Sequence, residues 1–135
     1  PDMFLPALIN SIRQNEKFNM TDGSQHRDYI FVTDVVDAVV SLITVKNKSC
    51  LGLTVLLGSG FSISIRDLAL LVASSFGENS RSLLSFGAIK SRESENSGYN
   101  FDMAKSQILL NWRAKVSIEA GIKATLDYAV RLAND

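Results

Sequence analysis

The stretch from Gly23 to Val36, GSQHRDYIFVTDVV, constrains the fold more than any other part of this chain. Asp22-Gly23 has the chemistry of a tight turn. Tyr29 to Val32 is aromatic and β-branched and reads as a strand, following an earlier strand over Lys17 to Thr21. Thr33 or Asp34 then caps a helix running to about Val45, with Asp34 and Asp37 near its positive end. Val35, Val36, Ala38, Val39, Val40, Leu42 and Ile43 make that helix apolar on most sides, and such a helix needs cover from neighbouring layers. Arg27 falls at the mouth of the turn, between the two strand-like segments. A guanidinium there can offer two parallel donors to phosphate oxygens.

The rest of the chain continues the mixture. Asp2 is placed to cap a helix to about Gln14, with Pro6 in its first turn. Phe4, Leu5, Leu8, Ile9 and Ile12 form its apolar stripe. Leu53 to Leu57 is a continuous apolar run, read as a strand buried on both faces. Ser64 to Asp67 has capping-box spacing, with Asp in place of Glu. The helix behind it runs to about Phe76 and closes at Gly77. Leu83 to Phe86 reads as a short strand and Lys90 to Gly98 as a polar loop. Phe101 or Asp102 opens a helix through Leu110. Ser117 caps a last helix with Ile118, Ile122, Leu126 and Val130 at every fourth position. The expectation is one mixed α and β segment over residues 1–135, with about five helices and four or five short strands.

Composition narrows the function. Of 135 residues, 46% are apolar and 21% charged, an ordinary globular balance. Fourteen basic residues match fourteen acidic ones, which argues against a nucleic-acid partner. The longest apolar stretch, Val35 to Val45, is too short to span a membrane and carries Asp37. Cys50 is the single cysteine, so there is neither a disulfide framework nor a metal cluster, and a reducing cytoplasm is the expected location. The chain opens at Pro1 rather than Met, consistent with a piece of something longer.

Several motifs read most simply as structure. Gly58-Ser59-Gly60 lacks the third glycine of a dinucleotide fingerprint, since Ile63 stands there, and reads as a plain strand-to-helix turn. His26, the only histidine, has no cysteine or nucleophile-elbow serine beside it and reads as a polar turn residue. Trp112 and Phe86 read as core. On spacing alone Arg27 and Arg92 are surface arginines in or beside loops, where binding groups also gather.

Four segments, in order, resemble the C-terminal part of the nucleotide-sugar epimerases and dehydratases, the extended short-chain dehydrogenase/reductase enzymes. Asp22 to Val36 is similar to G-x-x-x-R-D-[FY]-[IV]-x-V-x-D-V. Val55 to Leu71 is similar to N-V-G-x-G followed by S-I-x-E-L. Arg92 to Lys105 is similar to R-x-G-[DE] followed by D-x-[SA]-K. Leu109 to Thr125 carries Leu110-Asn111-Trp112 where L-G-W is common, then S-[IL]-E-x-G-[IL]. Thr21 and Ser94 stand where many relatives have glycine.

The resemblance implies a nucleotide-sugar-binding part of a longer NAD(P)-dependent enzyme that performs epimerisation, elimination or reduction. The Rossmann half would lie outside this chain. Accordingly Tyr29, Tyr99 and Tyr128 are followed four positions later by Thr33, Met103 and Leu132, so the family's Tyr-x-x-x-Lys pair is absent. NAD or NADP would bind the full-length enzyme, this part would bind none, and this part alone would be inactive, with no catalytic or metal-binding residue of its own. Carried over by position, Arg27 contacts the pyrophosphate with Tyr29 near it, and Arg92 holds phosphate or ribose from the other side. Glu95 takes the ribose hydroxyls, Phe18 and Met20 border the base partly through backbone groups, and Tyr99 lies near the sugar. The implied partner is a nucleotide-diphosphate sugar and the implied assembly a homodimer. The alternatives are a non-catalytic self-associating module and a reductase of the same family on a substrate without a nucleotide.

Overall fold

The computed structural model of the chain describes residues 3–44, 52–91 and 103–132. Among these are five α-helices and four short strands: α1 (Phe4–Arg13), β1 (Phe18–Asn19), β2 (His26–Asp28), α2 (Val32–Thr44), β3 (Ser62–Ser64), α3 (Ile65–Ser74), β4 (Leu84–Ser85), α4 (Ala104–Leu110) and α5 (Ile118–Leu132). A 3₁₀ turn over Glu78–Leu83 leads into β4. The strands form two ribbons. β1 pairs in parallel with β4, Phe18 opposite Leu84, and β2 pairs antiparallel with β3, Arg27 opposite Ile63. The mixed fold expected from the sequence is the fold found.

The core lies between α1 and α3. Leu8, Ile9 and Ile12 of α1 meet Leu68, Ala69, Val72 and Ala73 of α3, closed by Met20, Leu84 and Ile122. The two alanines of α3 are fully buried, which lets the neighbouring packing approach its backbone closely. Ser64 caps α3 as its spacing predicts: its hydroxyl accepts from the Asp67 amide at 2.9 Å. The short Asp67 side chain reaches the Ser64 hydroxyl at 2.6 Å, where the longer Glu of a capping box reaches the backbone N–H. Ser117 likewise accepts from Ala120 N–H at 3.2 Å at the start of α5. Asn111 ends α4 in the left-handed conformation (φ 46°), which explains how it replaces the glycine of L-G-W.

Four expectations need correction. The N-cap of α1 is Met3, with no side-chain cap, and not Asp2. The second strand is His26–Asp28 rather than Tyr29–Val32, because its partner is the polar run Ser62–Ser64 and pairing overrides local propensity. Residues 53–57 form no ladder, and Leu53 and Leu56 are exposed. Helix α2 buries only Asp34 and Ala38, while Val36, Val39, Val40 and Ile43 face outward. Two smaller differences follow. Val130 is exposed, so the α5 stripe ends earlier, and Asp34 does not cap its own helix. The buried Asp34 carboxylate accepts from Lys115 N–H at 3.1 Å and Val116 N–H at 2.9 Å, tying α2 to the entry of α5.

Candidate functional site

The turn before β2 is held by the start of α3. Gly23 has φ +74°, and a Cβ there would stand 2.8 Å from the Arg66 nitrogen. That close approach lets Arg66 N–H donate to the Gly23 carbonyl (2.9 Å) and Ile65 N–H to the Gln25 carbonyl (2.8 Å). With the Ser64 cap, three amides of the first turn of α3 thereby find acceptors. The Arg66 guanidinium lies 4.0 Å over the Phe86 ring and donates to the Asp22 carbonyl at 3.1 Å. This cation–π contact fastens the turn to the segment after β4.

Arg27 sits on β2 against a cavity of about 540 Å³ that also takes in Phe18, Met20, Thr21 and Gln25. Three of the residues implied by the resemblance, Phe18, Met20 and Arg27, therefore share one hollow. Arg27 is half-buried and donates to the His26 carbonyl at 2.8 Å. Met20 is buried; its N–H donates to Ser85 O and its carbonyl accepts from Ile89 N–H. Both backbone groups of Met20, on the segment expected to border the base partly through its backbone, are thus engaged within the chain. Tyr29 lines a different cavity, of about 380 Å³, with Phe61, Ile63 and Val116. Burial pushes its phenol pKa up, and the Arg27 guanidinium partly opposes that shift. Arg92, Glu95 and Tyr99 lie outside the described residues, as does Cys50.

Two lining residues escaped sequence reasoning. Gln25 is buried and its amide donates to the Thr21 hydroxyl at 3.3 Å, and the same hydroxyl accepts from Gly23 N–H at 3.4 Å. Threonine in place of the relatives' glycine thus braces the turn. Nothing in the polar composition of that segment signals that the Gln25 side chain is buried. His26 is polar and exposed as expected, with its ring Nδ1–H donating to Ser24 O at 3.0 Å, but it opens strand β2 opposite Ser64 rather than lying in a turn.

The turn at residues 58–60 offers a phosphate no free amide of Ser59 or Gly60. The Ser59 and Gly60 amides, which a phosphate would need, both donate to the Asp28 carboxylate, at 2.8 and 2.9 Å. No group of three or more metal-ligating side chains occurs among the described residues, and no helix among them is long and apolar enough to cross a membrane.

The chain is similar in sequence and fold to known proteins. The pattern of the NAD dependent epimerase/dehydratase family matches residues 1–55. CDP-abequose synthase of Salmonella typhimurium is 27% identical over 126 residues, covering 91% of this chain and 41% of that protein. Human dTDP-D-glucose 4,6-dehydratase is 28% identical over 131 residues, 95% of this chain and 37% of that protein. The structure of UDP-glucuronic acid 4-epimerase from Bacillus cereus, in complex with UDP-glucuronic acid and NAD, superposes with a TM-score of 0.85 at 26% identity, over 98% of this chain and 41% of that one. In sequence and fold, this chain is similar to the C-terminal portion of the extended short-chain dehydrogenase/reductase epimerases and dehydratases. It spans about two-fifths of the length of those relatives.

Proposed function

We propose that this chain is the part of an NAD(P)-dependent nucleotide-sugar epimerase or dehydratase that grips the nucleotide diphosphate. The observation that carries the reading is the single cavity lined by Phe18, Met20 and Arg27. The guanidinium of Arg27 pairs with a pyrophosphate oxygen, a charge-assisted bond that needs no metal. Phe18 and Met20 supply apolar surface to the base, and Tyr29 stands on the sugar side of Arg27. By the resemblance, Arg92 closes on the diphosphate from the opposite side, Glu95 accepts from the ribose hydroxyls and Tyr99 borders the sugar.

The chemistry of the sugar belongs to residues outside this chain, and the chain alone turns nothing over. Its contribution is positional: binding energy from the non-reacting nucleotide holds the sugar where reaction occurs. The outward valines of α2 and the exposed Leu53 and Leu56 are the seat for the remainder of the enzyme.

Calorimetric titration with UDP, dTDP, CDP and GDP tests the reading. One of the four is expected to bind with a defined stoichiometry, and to bind more tightly than its own nucleoside. A chain that distinguishes none of them from inorganic pyrophosphate contradicts it. A second reading, a self-associating module, is favoured by the same exposed apolar face, and a stable dimer without nucleotide binding would support it.

A further inference from the structure

The ribbon that carries Arg27 is too small to hold it. β2 has three residues and one partner strand, and its last ladder pair is Asp28 with Ser62. Two-stranded ribbons of this length are at best marginal without further support. The start of α3 holds the segment entering β2, and at the exit the support comes from Asp28. Its Oδ1 accepts from Ser59 N–H at 2.8 Å and from the Ser59 hydroxyl at 2.6 Å, and its Oδ2 accepts from Gly60 N–H at 2.9 Å. The carboxylate is hemmed in as well: a Cβ on Gly58 would stand 2.7 Å from Oδ2 and 3.4 Å from the Met103 sulfur. Successive strand residues point to opposite faces, so Asp28 grips the 58–60 turn on one side while Arg27 serves the cavity on the other.

We infer that Asp28 is the positioning residue of the anion-binding arginine. Its carboxylate clamps the end of β2 to the 58–60 turn and so fixes where the Arg27 guanidinium stands. The functional consequence rests on reading Arg27 as the diphosphate ligand; the clamp itself does not. Asparagine keeps the shape of Asp28 but presents an NH₂ to a donor whichever way its amide is turned. Glutamate is a methylene too long for the space beside Gly58.

The experiment compares the 135-residue chain with Asp28→Asn and Ser59→Ala by two readouts. In calorimetry with the best-binding nucleoside diphosphate and the matching nucleoside, Asp28→Asn is expected to weaken the diphosphate about tenfold, the scale of a lost hydrogen bond to a charged group. Nucleoside affinity should stay unchanged. Ser59→Ala keeps both amide bonds and should give a smaller loss in the same direction. It decides the matter if Asp28→Asn does not fold. Equal losses for diphosphate and nucleoside, or no loss in either variant, overturn the proposal. The second readout is the NMR order parameter of the Arg27 amide and Nε–H without ligand. It is expected to fall in Asp28→Asn, and an unchanged value overturns the clamp. If the wild-type chain binds no diphosphate at all, the functional reading fails and this second readout alone decides on Asp28.

Discussion

The seam between α1 and α3 and the outer side of α2 are made of similar residues and meet opposite fates. Leu8, Leu68 and Val72 are at most 1% exposed, whereas Val36, Val40 and Ile43 are 54%, 51% and 77% exposed. Both helices would be drawn as buried from their apolar content. What separates them is the partner: α3 finds the stripe of α1, while among the described residues the apolar residue that α2 buries is Ala38, in a small cluster with Leu110 and Trp112. Apolar patterning states that a surface needs cover and is silent on where the cover comes from.

Substitutions can break this contrast. Leu68→Ala should cost about 2–5 kcal/mol in urea denaturation, because a fully buried leucine leaves a cavity. An effect below 1 kcal/mol would mean that the seam is not the core. Asp34→Ala should cost about 1–3 kcal/mol, since the Lys115 and Val116 amides lose a buried acceptor; Asp34→Asn, which retains one carbonyl oxygen, should fall between it and wild type. The smallest stability effect belongs to the outer side of α2. Val36→Ser, Val40→Ser and Ile43→Ser should each change stability by no more than about 0.5 kcal/mol. Combined, they should shift sedimentation from associated species toward the monomer. A large stability loss from any of the three would place these side chains inside a core.

Signals within one turn of chain were legible, and long-range ones were not. The caps at Ser64 and Ser117 and the turn at Asp22-Gly23 all depend on neighbours a few residues away, whereas α3 ends at Ser74 with Ser75 as its cap, short of the expected close at Gly77. The strand at His26–Asp28 was missed because Tyr29-Ile30-Phe31-Val32 has the stronger propensity, while the deciding partner, Ser62-Ile63-Ser64, is mostly polar. Asp34 reads as a cap from its position, yet its acceptor role lies more than eighty residues away. Asp28 passes in the sequence as half of an Arg-Asp pair, and only the placement of the 58–60 turn reveals its three bonds. For the site, the motif led to Arg27, and the fold adds that Phe18 and Met20 share its cavity while Tyr29 lines a different one.

The central claim is that Arg27 holds a diphosphate, and its most direct test is a titration of wild type against Arg27→Ala. The same nucleoside diphosphate and its nucleoside are used for both. Loss of a hydrogen bond to a charged group is worth about 1.5–3 kcal/mol, so diphosphate affinity should fall roughly ten- to a hundredfold with the nucleoside unaffected. Equal diphosphate binding by the two proteins would contradict the account.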